Sequence, residues 1–356
     1  MKTGKPVTNH KNANHPVPAR RRPLAIVWGL SAIALAIGAV AVAFRDLNLD
    51  RLLRVLMRAD WMWLLAMLAA VPVEQLLRAW KWRQILYDIR PVGTLRLFGA
   101  VMAGYFANVL VPVGVSPLVR AWLVARLEGL GVSTVLLTTA IERFIDGIVF
   151  AVLIGVLLWI DDFPDAPQAL RPIFAAAGLG GLLLFAGLLL GVFVTRHRLL
   201  DPTSIPGRGM ARLERAFNGR FRGLGNGIAS GIVWPRSRWR GIGVVLASLL
   251  MKGVSTTHFL WVGLAFGIVL PAAAYLFIML FAGFSLIISR FVRIPGGGVI
   301  GAAFALKLLG VPEEEALAMV TVVHVVTLGT IVAIGAAALW RSGVGPAELR
   351  RIRAGR

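Results

Sequence analysis

The sequence predicts an all-α polytopic membrane protein with six transmembrane spans and two opposed re-entrant broken-helix hairpins that form an inverted repeat. Three observations predict it. The 356-residue chain is 58% hydrophobic with a mean hydropathy of +0.77, outside the range of an ordinary soluble or disordered chain. Its apolar residues gather in runs long enough to cross a bilayer. Its basic residues lie between those runs, the bias that orients multi-spanning proteins.

Residues 1–23 form a polar, basic tail, expected to be disordered and cytoplasmic because Lys2, Lys5, Lys11, Arg20, Arg21 and Arg22 precede the first span. That span, Leu24–Phe44, contains the signal-peptidase-like Ala41-Val42-Ala43 near its end, yet it exceeds the roughly 7–15 residues of a cleavable apolar region. An uncleaved span is therefore expected. The second span runs from Trp61 to about Trp80 and emerges on the cytoplasmic side at Arg78, Lys81, Arg83, Arg90 and Arg96. The third, Val132–Ile160, exits at the acidic Asp161-Asp162-Phe163-Pro164-Asp165. The fourth, Pro172–Thr195, returns to a basic loop over residues 196–240. The fifth is Gly241–Leu270, and the sixth, Ala316–Trp340, ends at Arg341 before a basic cytoplasmic tail, residues 341–356. Trp61, Trp63, Trp80, Trp82, Trp159, Trp234, Trp239 and Trp340 fall near the span ends, where an aromatic belt belongs.

Two apolar stretches are broken. Leu97–Leu110 stops at Val111-Pro112-Val113-Gly114 and resumes over Leu118–Leu127. Ala272–Phe291 stops at Arg293-Ile294-Pro295-Gly296-Gly297-Gly298 and resumes over Val299–Leu309. The resuming arms are too short to span, so each unit reads as a re-entrant hairpin whose irregular backbone must face protein or a wet cavity. Residues 61–160 and 238–340 then repeat the order span, hairpin, span within one transmembrane domain, residues 24–340. Pro112 answers Pro295, and the Glu142-Arg143 level answers Val323-His324. The fourth span inverts the second half relative to the first, the pattern that points to a midplane site in secondary transporters.

Glu142, Arg143 and Asp146 interrupt the third span near its middle. An ionised side chain at that depth costs roughly 2.5–3.5 kcal/mol on insertion scales, so the three must face protein or water and neutralise one another. On a helix Glu142 and Asp146 share a face, with Arg143 one turn before Asp146. Two readings stand: a structural ion pair between helices, or a polar transport or binding site.

The hairpin breaks supply the remaining candidates. Pro removes a backbone donor and Gly permits unusual dihedrals, so Pro112, Gly114, Pro295, Gly296, Gly297 and Gly298 expose backbone groups to a cavity. Half-helix N-termini there suit phosphate or carboxylate. Asn108 precedes the first break, Arg120 follows it, Arg290 and Arg293 precede the second, and Lys307 follows it. Converging guanidinium groups match a phosphate head group. For Arg120, Arg126 and Lys307 snorkelling to the interface is the competing reading. His324 stands alone in the last span, either as a helix–helix contact or as a titratable partner opposite Glu142 and Asp146.

Other classes fit less well. A net charge of +21 suggests a nucleic-acid partner, but its placement in loops between apolar runs argues against one. The chain has no cysteine, and its five histidines show no metal-binding spacing, so no cofactor is expected.

At these residues the chain resembles the flippase-like membrane proteins typified by the transmembrane region of lysylphosphatidylglycerol synthases. The matching features are Arg78-Ala79-Trp80-Lys81-Trp82-Arg83, Asn108-x-x-x-Pro112 with Arg120, Glu142-Arg143-x-x-Asp146 and Pro295-Gly296-Gly297. The likeness runs from about Leu53 to Trp340. It departs where family members often carry a Gly-acid pair, here Ser116-Pro117, and an acid after Pro-Gly-Gly, here Ala302. The resemblance implies a stand-alone member that moves a phospholipid, hopanoid or lipid-linked precursor across the inner membrane of a bacterium or archaeon. It implies membrane lipid as substrate, a lipid-biosynthesis enzyme as a further partner, and no enzymatic activity of its own. A membrane enzyme acting on a lipid phosphate and a proton-coupled transporter of a soluble metabolite are the rival readings.

Overall fold

In the computed structural model the described residues are 54, 56–110, 115–160, 171–200, 234–292 and 296–341, and among them the chain forms nine α-helices and no strand. They are α1 (Trp61–Leu86), α2 (Thr94–Leu110), α3 (Ser116–Glu128), α4 (Val132–Trp159), α5 (Arg171–Leu200), α6 (Arg238–Ala265), α7 (Ala272–Val292), α8 (Gly297–Leu308) and α9 (Glu313–Arg341). The expected first span, both tails, the acidic Asp161–Asp165 segment and most of the basic loop lie outside the described residues.

Local chemistry sets the helix ends. Asp60 caps α1 by accepting the Met62 N–H at 2.9 Å, satisfying a donor the first turn leaves free. Pro117 sits in the first turn of α3, where its missing N–H is harmless, and Gly129 ends that helix in the left-handed region at φ 67°. Gly296 adopts φ 77° before α8, a conformation a side chain would strain.

Length and apolarity let α1, α6, residues Ala272–Ser289 of α7, and α9 cross a membrane. At 28 residues, α4 is as long as α6, about 42 Å at the rise of an α-helix, but carries its three charges near the middle. Two boundaries differ from expectation. The second span continues to Leu86, so Arg78 and Lys81 lie within it instead of on its cytoplasmic flank. The first arm of the second broken unit, α7, has 21 residues and is long enough to cross alone, whereas α2 has 17.

Helices α1 and α6 form the central pair. The Asp60 N–H donates to the Ala265 carbonyl at 2.8 Å, and Trp63 stacks on Trp261 with centroids 5.6 Å apart. At the other end Arg240 pairs with Asp88 at 2.9 Å and lies over Tyr87. The start of α1 therefore meets the end of α6, and the pair is antiparallel. Around it the packing is paired. α1 touches α2, α4 and α9, while α6 touches α7, α9 and α4. α2 packs on α3 and α9, while α7 packs on α8 and α4. Exchanging α1–α4 with α6–α9 maps each of these contacts onto another; α5, which joins the halves, packs on α4.

Glycine permits the tightest contacts. A Cβ on Gly297 would collide with Ser289, and one on Gly301 with Ser285, so this i, i+4 pair seats α8 directly on α7. Three apolar clusters result, the smallest gathering Ile85, Ile141, Ile145, Val149 and Val244. Of the two larger, one gathers Met67, Val71, Ile154, Phe259, Phe277, Leu306 and Met319; the other gathers Trp82, Leu86, Leu97, Val124 and Val135.

Candidate functional site

A layer of charge lies between the two larger apolar cores. On α1, Glu74 and Arg78 follow Val71 of one core, and Lys81 lies beside Trp82 of the other. On α4, Glu142 and Asp146 fall between Val135 and Ile154. On α6, Ser248 and His258 precede Phe259. Glu74, Arg78 and Lys81 are spaced i, i+4, i+7, which puts them on one helical face. Glu142 and Asp146, at i and i+4, share a face of α4.

The two faces meet. Asp146 accepts a hydrogen bond from the Lys81 ammonium, lies 3.5 Å from Arg78 Nη1, and accepts the Ser248 hydroxyl at 3.2 Å. Glu142 is fully enclosed, with Arg120 Nη2 at 2.8 Å, Arg78 Nη1 at 3.5 Å and Lys81 Nζ at 3.6 Å. Glu74 lies 3.5 Å from Arg78 Nη2 and 3.7 Å from His258 Nε2. Arg78 thus faces three carboxylates, and each carboxylate has a cation. Arg120 is brought in from α3, where Gly104 of α2 admits it: a Cβ on Gly104 would press on Ser116 and the Arg120 stem. Its guanidinium lies 5.0 Å from the Trp82 ring centroid, and the Trp82 indole donates to Thr138 at 3.0 Å. Tyr105 of α2 faces Arg78 at 5.9 Å.

Three buried cations, Arg78, Lys81 and Arg120, face three buried carboxylates, Glu74, Glu142 and Asp146. Two further cations adjoin this balanced set. Arg143 lies in the electrostatic reach of Arg78, Glu142, Asp146 and Tyr105, yet its side chain is exposed. Lys252 is half-buried, acts on Asp146 and sits 5.4 Å from the Phe150 ring centroid. Among the described residues neither has a carboxylate within 4.0 Å or a side-chain hydrogen bond. Each adds a positive charge beside the charge-neutral core.

The expected candidates scatter around this geometry. Glu142, Asp146, Arg143 and Arg120 come together. Arg143 does not neutralise the two carboxylates: their closest cations come from α1 and α3, because Arg143 points off the shared face. Arg120 does not snorkel; it is 1% exposed and ion-paired with Glu142. Lys307 is exposed and pairs with Glu313 at 3.0 Å, and Arg126 is exposed against Trp122. Asn108 is half-buried on α2, its Oδ1 enclosed without a hydrogen-bond partner. His324 is exposed on α9, and no hydrogen bond or ion pair joins it to the carboxylates among the described residues. The buried histidine of the cluster is His258 instead. Gly296 is exposed, Gly297 is buried against α7, and Gly298 lies near Leu286. Pro112, Gly114, Arg293, Pro295 and the Arg290 side chain lie outside the described residues.

Sequence reasoning missed Glu74, Ser248, Lys252 and His258, and it took Lys81 for a flank. The signals were present: Lys252 is a lone lysine within an apolar run, and Glu74 shares a helical face with Arg78 and Lys81.

Long apolar helices packed around a buried charged layer define a multi-pass α-helical membrane protein. The chain belongs to the family described as the lysylphosphatidylglycerol synthase TM region, which matches residues 29–335 and places it among membrane proteins related to lipid handling. No curated protein and no solved structure matches the chain.

Proposed function

We propose that this protein is a flippase-like transporter, without enzymatic activity of its own, that moves a polar or anionic lipid across the inner membrane. The observation that carries this reading is that Arg143 and Lys252, beside a charge-balanced core, each have no carboxylate within 4.0 Å among the described residues. A charge-neutral core holds helices together without help from a ligand. Two additional cations in a membrane-spanning bundle create a demand for an external anion. A phosphate-bearing head group meets it, because guanidinium and ammonium both bind phosphate strongly. The acyl tails would remain in the bilayer.

The six-span, inverted-repeat topology with two re-entrant hairpins is the arrangement this function uses. It is supported by the exchange of helix contacts between α1–α4 and α6–α9 and by the antiparallel α1–α6 pair. In that arrangement both termini are cytoplasmic and the charged layer lies near the midplane, where transporters of this architecture hold their substrate. Arg143 and Lys252 bind the head group, Asn108 contributes its unpaired amide oxygen, and the Glu142–Arg120 and Asp146–Lys81 pairs position the helices. A lipid-biosynthesis enzyme is a fitting partner as the source of the lipid.

The test is translocation of fluorescent phosphatidylglycerol in proteoliposomes, read by accessibility to a membrane-impermeant quencher. Arg143→Ala and Lys252→Ala should each slow it about tenfold or more, the consequence of losing a charged hydrogen bond of roughly 1.5–3 kcal/mol. Unchanged rates in both variants, or a covalently altered lipid among the products, would overturn the reading.

A further inference from the structure

Glu74 and His258 are not used by the head-group site, yet they are a buried titratable pair linked to it. Glu74 is 9% and His258 6% exposed, and they meet across the central α1–α6 contact at 3.7 Å. His258 Nε2 is enclosed without a hydrogen-bond partner, while the Ala70 carbonyl is within hydrogen-bonding reach of the ring. Pro72 lies between Ala70 and Glu74 and removes one backbone donor from α1 at this level. The pair is thus a buried acid and base at a weakened turn of the helix, with an unsatisfied nitrogen between them.

The groups around the pair are few. α1 presents Glu74, Arg78 and Lys81, α6 adds Lys252, α4 presents Glu142, Arg143 and Asp146, and α2 presents Tyr105. Helix α7 offers Tyr275, whose hydroxyl is engaged by the Ile268 carbonyl and the Leu270 N–H. Helix α9 offers Glu313, Glu314, Glu315, His324 and Arg341, none of which forms an ion pair with Glu74 or His258 among the described residues. Among the described residues only Glu74 of the charged groups acts directly on His258, and Arg78 is the route onward: its Nη2 faces Glu74 and its Nη1 faces Glu142 and Asp146.

We propose that Glu74 and His258 form a proton-binding site whose loading raises the affinity of Arg143 and Lys252 for an anion. One proton taken from the aqueous side changes the pair from a net negative charge to neutrality, whichever of the two atoms holds it. If Glu74 holds it, Arg78 loses one of its three carboxylate partners; if His258 holds it, the imidazolium competes with Arg78 for that carboxylate, and either way the net positive charge available to a bound phosphate rises by one. Linkage is reciprocal, so binding the anion must promote proton uptake by the same factor. The proposal deepens the transport reading, on which its coupling half rests: lipid phosphate and a proton would bind the loaded state together.

Two measurements on the full chain separate the halves. The first follows the His258 ring resonances of labelled protein in detergent from about pH 5 to 8, the interval in which imidazole ordinarily titrates. A titration that Glu74→Gln displaces supports the proton site; a ring that does not titrate, or one indifferent to Glu74→Gln, overturns it. The second measures binding of short-chain phosphatidylglycerol across the same interval. Wild type should bind at least about fivefold tighter at the acid end, within the usual range of coupling. E74Q, which carries the loaded charge permanently, should bind with the tight affinity at every pH, and His258→Gln should flatten the profile. Wild-type pH dependence persisting in both variants would overturn the coupling. Absence of binding at any pH, with His258 still titrating, would overturn the transport reading and the coupling while sustaining the proton site.

Discussion

Replacing Arg120 by Met tests whether the buried pairs are structural. Methionine keeps an unbranched stem of similar reach and removes only the guanidinium. Glu142, 0% exposed, then loses its closest cation at 2.8 Å and keeps Arg78 at 3.5 Å and Lys81 at 3.6 Å, both of which are also engaged by Asp146. Removing one partner of a buried pair costs about 3–5 kcal/mol because the other charge remains without water. The lost contact with Trp82, 5.0 Å from the guanidinium carbon, places the effect toward the upper end. For a chain of this size that lowers the unfolding midpoint by roughly 5–10 °C. The assay is thermal unfolding in detergent followed by tryptophan fluorescence, with 11 tryptophans as reporters. Adding Glu142→Gln should recover much of the loss, giving a coupling energy of about 2 kcal/mol or more in a double-mutant cycle. If Arg120→Met unfolds within about 0.5 kcal/mol of wild type, the guanidinium is not a counter-charge and the neutral-core argument fails.

Two further changes test the packing and the site boundary. Gly301→Leu forces a branched side chain into Ser285 on α7 and should destabilise by about 1–3 kcal/mol or more, whereas Gly253→Ala, which meets open space, should stay within about 1 kcal/mol; the same unfolding assay reads both. His324→Ala should leave stability within about 0.5 kcal/mol and lipid movement unchanged, because its side chain is exposed and joined to none of the carboxylates. A transport defect in that variant would restore His324 as a partner of the site.

Much of the architecture was legible because each signal is local. A run of apolar residues, a Pro-Gly break or a capping Asp acts through its own few residues, so α1, α4, α6 and α9 and the two broken units could be read in order. The ends were less legible. Arg78 and Lys81 look like an interfacial flank because a charge near the end of an apolar run ordinarily meets water. They are buried because Glu142 and Asp146, more than sixty positions away, receive them. Glu142-Arg143-x-x-Asp146 advertised itself through the improbability of charge in an apolar helix, but not which helix would answer it. Register in the repeat points to His324 and gives no signal for His258. Side-chain direction decided otherwise, since α9 turns His324 outward and α6 turns His258 against Glu74.

The sequence by itself determined that this chain belongs in a membrane, where its apolar runs break, and that charge would be buried on α4, because hydrophobicity and backbone restriction are properties of neighbouring residues. Only the tertiary structure decided which charges cancel. Ion pairing is a through-space energy that falls with distance and rises with burial, so it depends on four helices arriving at one layer. That convergence turned Arg120 from a candidate ligand into a counter-charge, and left Arg143 and Lys252 as the cations beside that layer with no carboxylate in reach among the described residues.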